Sequence, residues 1–168
     1  MWNSYRTLEF AQERAETPFS LEAWILPSTL NTEYRGVLSN QSDDDAGRDG
    51  YLIYIQADAG LGPERWSNGM SNPIASPASV RQATWAHVVG SYDGALLTLY
   101  VNGAVVAGPA ASNLSIPAHP GCSFAIGAMF CGTVGFFAGT MDEVAICDHA
   151  LTPARVLVHY RVGEGESP

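Results

Sequence analysis

The stretch WAHVVGSYDGALLTLYVNGAVVAG, residues 85–108, decides the fold. Asp93-Gly94 and Asn102-Gly103 each supply the two residues tolerant of positive φ that a two-residue hairpin turn demands. Two such turns in succession predict a three-stranded antiparallel meander. A turn at Asp93-Gly94 pairs Tyr92 with Ala95, setting Gly90 against Leu97, Val88 against Leu99 and Ala86 against Val101 on one face. That face is the expected core side. The other is mixed, with Trp85, His87, Val89 and Ser91, and it sets His87 across from Tyr100.

Working outward, FSLEAWIL (19–26) alternates Phe19, Leu21, Ala23 and Ile25 against Ser20, Glu22, Trp24 and Leu26, and Pro27 ends it, as in a strand with one apolar face. Gly36–Asn40 and Gly50–Ala57 read as two more strands, with the loop SDDDAGRD (42–49) between them. Residues 60–83, rich in Gly, Pro, Ser and Asn, predict a long irregular excursion with one short strand at most. CSFAIGAM (122–129) and FFAGTMDEVAIC (136–147) add two strands. Thr152-Pro153 then starts a short helix, as N-cap and first-turn proline, that runs through LVHY. Strands at this spacing predict an all-β, two-sheet antiparallel sandwich with one short C-terminal helix.

The composition agrees: 168 residues, 46% apolar and 15% charged, with 17 Gly and 10 Pro, suit one compact domain of short strands and tight turns. The tail GEGESP reads as a linker, so the domain is taken as 1–163 and residues 164–168 as a linker stub. Eight Arg, no Lys and 17 carboxylates give a net charge of -9, which repels nucleic acid and anionic lipid. No apolar run approaches the roughly 20 residues of a bilayer span, so membrane insertion is not expected. The start MWNSYRTLEFAQERAE lacks the features of a signal peptide. Cys122, Cys131 and Cys147 fit either one disulfide with a spare thiol or three buried thiols.

Three segments stand in order: FSLEAWI at 19–25, WAHVVGSYDGALLTLYVNG at 85–103 and FAIGAMFCGTVGFFAGTMDEVAICDHALTPARV at 124–156. Together they resemble the laminin G-like jelly-roll domains of the concanavalin A-like lectin/glucanase superfamily. The resemblance implies two curved antiparallel sheets and a noncatalytic module of a larger secreted or cell-surface protein, binding glycans or, alternatively, other proteins, often with calcium. The family's usual first strand is not evident in RTLEFAQ (6–12).

Several side chains are candidates for chemistry. Glu22 and Glu143 would serve as acid and base if the chain were a hydrolase or lyase of this fold, but the E-x-D-x-x-E motif of glucanases is absent and structural roles are expected. In related jelly rolls an aspartate at the position of Asp142 binds structural calcium with backbone carbonyls, and the alternative is a backbone cap. Asp43, Asp44, Asp45 and Asp49 fail the spacing of a calcium loop and read as a solvated hairpin tip. Trp24 and Trp85 read as core, as does one of Phe136 and Phe137. Trp66 is the expected ligand platform, beside Arg65, Asn68 and Asn72 in a polar loop, because an exposed indole flanked by amides and a guanidinium stacks on a pyranose face while bonding its hydroxyls. Its alternative is a ring folded back to close the loop.

Overall fold

The computed structural model describes residues 17–31, 33–44, 47–67, 69–77, 79–114 and 123–166. The segment RTLEFAQ and residues Asp45, Asn68, Cys122, Ser167 and Pro168 lie outside that description.

The described strands are β1 (Phe19–Pro27), β2 (Arg35–Asp44), β3 (Gly47–Ile55), β4 (Leu61–Ser67), β5 (Met70–Ser71), β6 (Ala86–Tyr92), β7 (Leu96–Val101), β8 (Ala104–Ala111), β9 (Ala125–Ile126) and β10 (Gly139–Cys147), followed by helix α1 (Pro153–Gly163). They form two five-stranded sheets in the orders β10-β1-β6-β7-β8 and β5-β4-β3-β2-β9. Each pairing is antiparallel. This is the expected jelly-roll sandwich. Its core joins Leu21, Ala23 and Ile25 of β1 and Val88, Leu99 and Val101 of the meander to Leu38, Ile53 and Ile55 of the opposite sheet. Period-2 alternation places these residues on the inner faces, and removing them from water is the main term holding the sheets together.

The second turn forms as read. Val101 pairs with Ala104, and Asn102 and Gly103 have φ of 50° and 77°. The first turn slips. The Asp93 carboxylate accepts the N–H groups of Ala95 and Leu96 at 2.9 and 2.7 Å, so Asp93 stands before the turn and Gly94-Ala95 form it. Tyr92 therefore pairs with Leu97, Gly90 with Leu99 and Val88 with Val101. A slip of two positions keeps every side chain on its expected face. It removes His87 from Tyr100, which pairs with Val89 instead.

Two loop expectations are corrected. The stretch 42–49 is mostly strand, since Ser42 pairs with Asp49 and Asp43 with Arg48, and the Asp43 carboxylate lies 3.3 Å from Arg48 Nε. Asp49 is buried rather than solvated. The stretch from residue 60 begins with the seven-residue strand β4, in which Leu61, Pro63, Arg65 and Ser67 are buried while Glu64 and Trp66 are half-buried. Its alternation is disguised in the sequence because a proline and an arginine occupy inward positions.

The helix starts at Pro153 as expected, with the Thr152 side chain accepting the Arg155 N–H at 3.3 Å. It and the preceding segment cover the outer face of the β1-β6-β7 sheet, where Leu151 and Val156 pack on Val89 and Tyr100. The Ser20 hydroxyl pins this cover by accepting the Leu151 N–H at 2.8 Å. Cys131 is disulfide-bonded and Cys147 is free.

Candidate functional site

Glu22 and Trp24 face outward from β1, because their neighbours Leu21, Ala23 and Ile25 fill the core. Glu22 is nearly buried and meets two imidazoles: His87 Nε2 lies 2.7 Å from its Oε1, and His159 Nδ1 of α1 lies 2.9 and 3.1 Å from its two oxygens. A carboxylate only accepts, so both ring nitrogens donate. Burial on its own would raise the pKa of Glu22, but the bonds and charges of His87 and His159 outweigh it and hold the carboxyl below its ordinary value. Among the described residues His87 Nδ1 has no hydrogen-bond partner.

Trp24 stacks on Tyr160 of the helix at 5.8 Å and lies 5.2 Å from the His87 ring. The helix approaches this closely because residue 163 is glycine; a Cβ there would fall 2.4 Å from the Trp24 ring. The core role expected for Trp24 is thus met as packing beneath the helix, outside the central cluster. Trp85 is not core. It is 40% exposed, because it precedes β6 on the outer side of the sheet.

On the far side of β1, the edge strand β10 carries an irregularity. Glu22 pairs with Ala145 but Trp24 pairs with Asp142, so β10 has one residue more than its partner. Glu143, with φ of 50°, takes the left-handed conformation, and its N–H donates to Asp142 Oδ1 at 2.8 Å. Such bulges bend a strand and re-aim its side chains.

These parts enclose an open groove of about 740 Å³. Glu22 and Trp24 form its floor. Trp85 stands in one wall, Asp142 and Glu143 in a second, and His159 and Glu164 close the helix side. Glu164, expected in the linker stub, therefore lines the groove.

The grouping expected around Trp66 does not form, because adjacent strand residues point to opposite faces. Arg65 points inward and is fully buried. Its guanidinium donates to the Ser112 carbonyl at 2.8 Å and the Leu114 carbonyl at 3.1 Å, and lies 3.8 Å from the Tyr92 ring centroid. Trp66 points outward, half-buried among Leu52, Tyr54, Met129 and Phe130, with the Arg48 guanidinium 5.1 Å from its ring centroid. Asn72 Oδ1 accepts from the Ser112 hydroxyl at 3.4 Å. Of the two phenylalanines, Phe136 is exposed and Phe137 packs on the core.

At Asp142, Oδ1 accepts the Glu143 N–H, the backbone-cap arrangement given above as the alternative to calcium. Among the described residues no group of three His, Cys, Asp or Glu side chains is placed to share an ion.

Sequence reasoning missed the groove. Its available signal was the recurrence of Glu22, Trp24, Trp85 and His87 on the non-core side of two strands, where polar and aromatic side chains had no partner in sight.

Comparison with curated protein sequences finds no match. Solved structures share the fold. The CBM40 module of Ruminococcus gnavus IT-sialidase bound to α2,3-sialyllactose is 19% identical with a TM-score of 0.69, covering 86% of this chain and 83% of that one. A putative carbohydrate-binding protein from Bacteroides ovatus is 20% identical with a TM-score of 0.64 over 84% of this chain, which spans 40% of that longer protein. Domain 4 of an extracellular arabinanase from Geobacillus stearothermophilus, in complex with arabinotriose, is 21% identical with a TM-score of 0.60, covering 88% and 68%. A family model matches residues 3–157, nearly the whole chain, and by that match this protein belongs to the concanavalin A-like lectin/glucanase superfamily, as a laminin G-like domain.

Proposed function

We propose that the chain is a noncatalytic carbohydrate-binding module of a larger secreted protein and that its ligand lies in the groove between β1, β10 and α1. The observation that carries this reading is Trp85, an exposed indole standing over a groove whose rim offers carboxylate oxygens. An indole face packs on the C–H face of a pyranose, and carboxylates accept the hydroxyl hydrogen bonds that fix its orientation. The similar modules named for sialyllactose and arabinotriose support a sugar ligand. The disulfide at Cys131 is the chemistry of an oxidising compartment and supports secretion.

Catalysis is disfavoured by the state of Glu22. It shares the groove with Glu143, but a glycosidase acid needs a carboxyl whose pKa is raised, and the two imidazoles hold that of Glu22 down. They also occupy the oxygens a nucleophile would use.

A glycan array followed by calorimetry on the wild type and Trp85→Ala tests the proposal. Wild type should retain sugars without releasing reducing ends, and Trp85→Ala should lose about tenfold or more in affinity. Trp85→Ala binding as wild type does would remove the ligand from this groove, and reducing-sugar release abolished by Glu22→Gln or Glu143→Gln would make the chain an enzyme.

A further inference from the structure

Resting on the groove as the ligand site, we infer that it selects by charge: sugars bearing a free ammonium group, such as de-N-acetylated hexosamines, bind ahead of neutral sugars, and sugars bearing a carboxylate are rejected. Four carboxylates line the groove, from Glu22, Asp142, Glu143 and Glu164, and no arginine side chain does among the described residues. The chain has no lysine.

The four acids are not equivalent. Glu22 is engaged by His87 and His159 and forms the floor. Asp142, Glu143 and Glu164 are exposed, and the left-handed residue at Glu143 sets that carboxylate on the groove side of an edge strand. Across from them stands the exposed ring of Trp85. An ammonium group placed between an indole face and carboxylates gains from the ring quadrupole and from charge-assisted hydrogen bonds, which are roughly twice as strong as neutral ones. A neutral hydroxyl gains only the ordinary hydrogen bond.

A carboxylate sugar meets the reverse situation. Among the described residues no arginine lines the groove, and the one imidazole in its wall, His159, is turned with its Nδ1 hydrogen toward the Glu22 carboxylate. Like charges then face each other across the groove. The preference is thus opposite in sign to that of a module that holds sialyllactose, an acidic sugar.

Calorimetric titration of the full chain with three probes tests the inference: a glucosamine tetramer held below the pKa of its amines, an N-acetylglucosamine tetramer and sialyllactose. The glucosamine tetramer should bind about tenfold tighter than its acetylated counterpart, a gap that screening by about 0.5 M salt should close. The exposed-site variant Glu143→Gln/Glu164→Gln should close it as well, while Glu33→Gln/Asp43→Asn, which removes the same charge outside the groove, should not. Equal binding of the two tetramers, a preference for sialyllactose, or equal effects of the two double variants would overturn the inference with the groove still the site. Failure of the underlying reading looks different: Trp85→Ala would bind every probe as wild type does.

Discussion

His159 Nδ1 donates to Glu22 Oε1 at 2.9 Å across 137 positions of sequence. This bond joins the last helix to the first strand of the sandwich. It also places His159 on the helix side of the groove and, together with the His87 bond, holds the carboxyl of the groove floor below its ordinary pKa, so docking of the helix and integrity of the candidate site are coupled.

Stability should fall in acid through Glu22. Its carboxyl is held below its ordinary value of 4.5, and a group depressed in the folded state stabilises above its unfolded pKa and ceases to do so as pH drops through its folded one. Urea midpoints of the wild type should therefore decline below about pH 4.5 more steeply than those of Glu22→Gln, which should be less stable by roughly 1–3 kcal/mol at pH 7. Parallel curves for the two proteins would exclude Glu22 from the acid transition.

The tryptophans should separate by role. Trp24→Ala empties a buried site beneath the helix and should lose roughly 3–5 kcal/mol. Trp66→Ala, half-buried under Arg48, should lose less stability and keep ligand affinity. Trp85→Ala should barely move the melting temperature while losing the ligand. A loss of affinity at Trp66→Ala with Trp85→Ala silent would reverse the assignment of the site to the opposite sheet.

Arg65 should prove structural. Its guanidinium satisfies carbonyls of Ser112 and Leu114 inside the sandwich, so Arg65→Met leaves buried acceptors bare at a cost of about 2 kcal/mol. Denaturant unfolding measures this, and a stable Arg65→Met protein that had lost only ligand affinity would contradict the inward placement.

Chelation tests the calcium expectation for Asp142. With one carboxylate whose Oδ1 already takes a backbone N–H, the melting curve is expected to be the same in calcium and in excess chelator. An ion bound only by the folded chain raises the melting temperature by mass action, so a calcium-dependent rise lost in Asp142→Asn would show main-chain oxygens completing a site there.

The sequence by itself determined the features that depend on neighbours a few positions apart. Positive φ at Asn102-Gly103 and period-2 alternation specified the meander and its core face, and Thr152-Pro153 specified where the helix begins. Even the slip at Asp93 preserved the faces, because pairing moved by two. Only the tertiary structure decided that Arg65 would be satisfied inside the sandwich by carbonyls of residues 112 and 114. The same holds for the outer face of the β1-β6-β7 sheet, where the helix covers Glu22 and Trp24 while Trp85 remains 40% exposed. Alternation names two faces and says nothing of what covers the second one. That outcome depends on contacts between segments more than a hundred residues apart, which leave no local pattern, and the groove exists only where those segments meet.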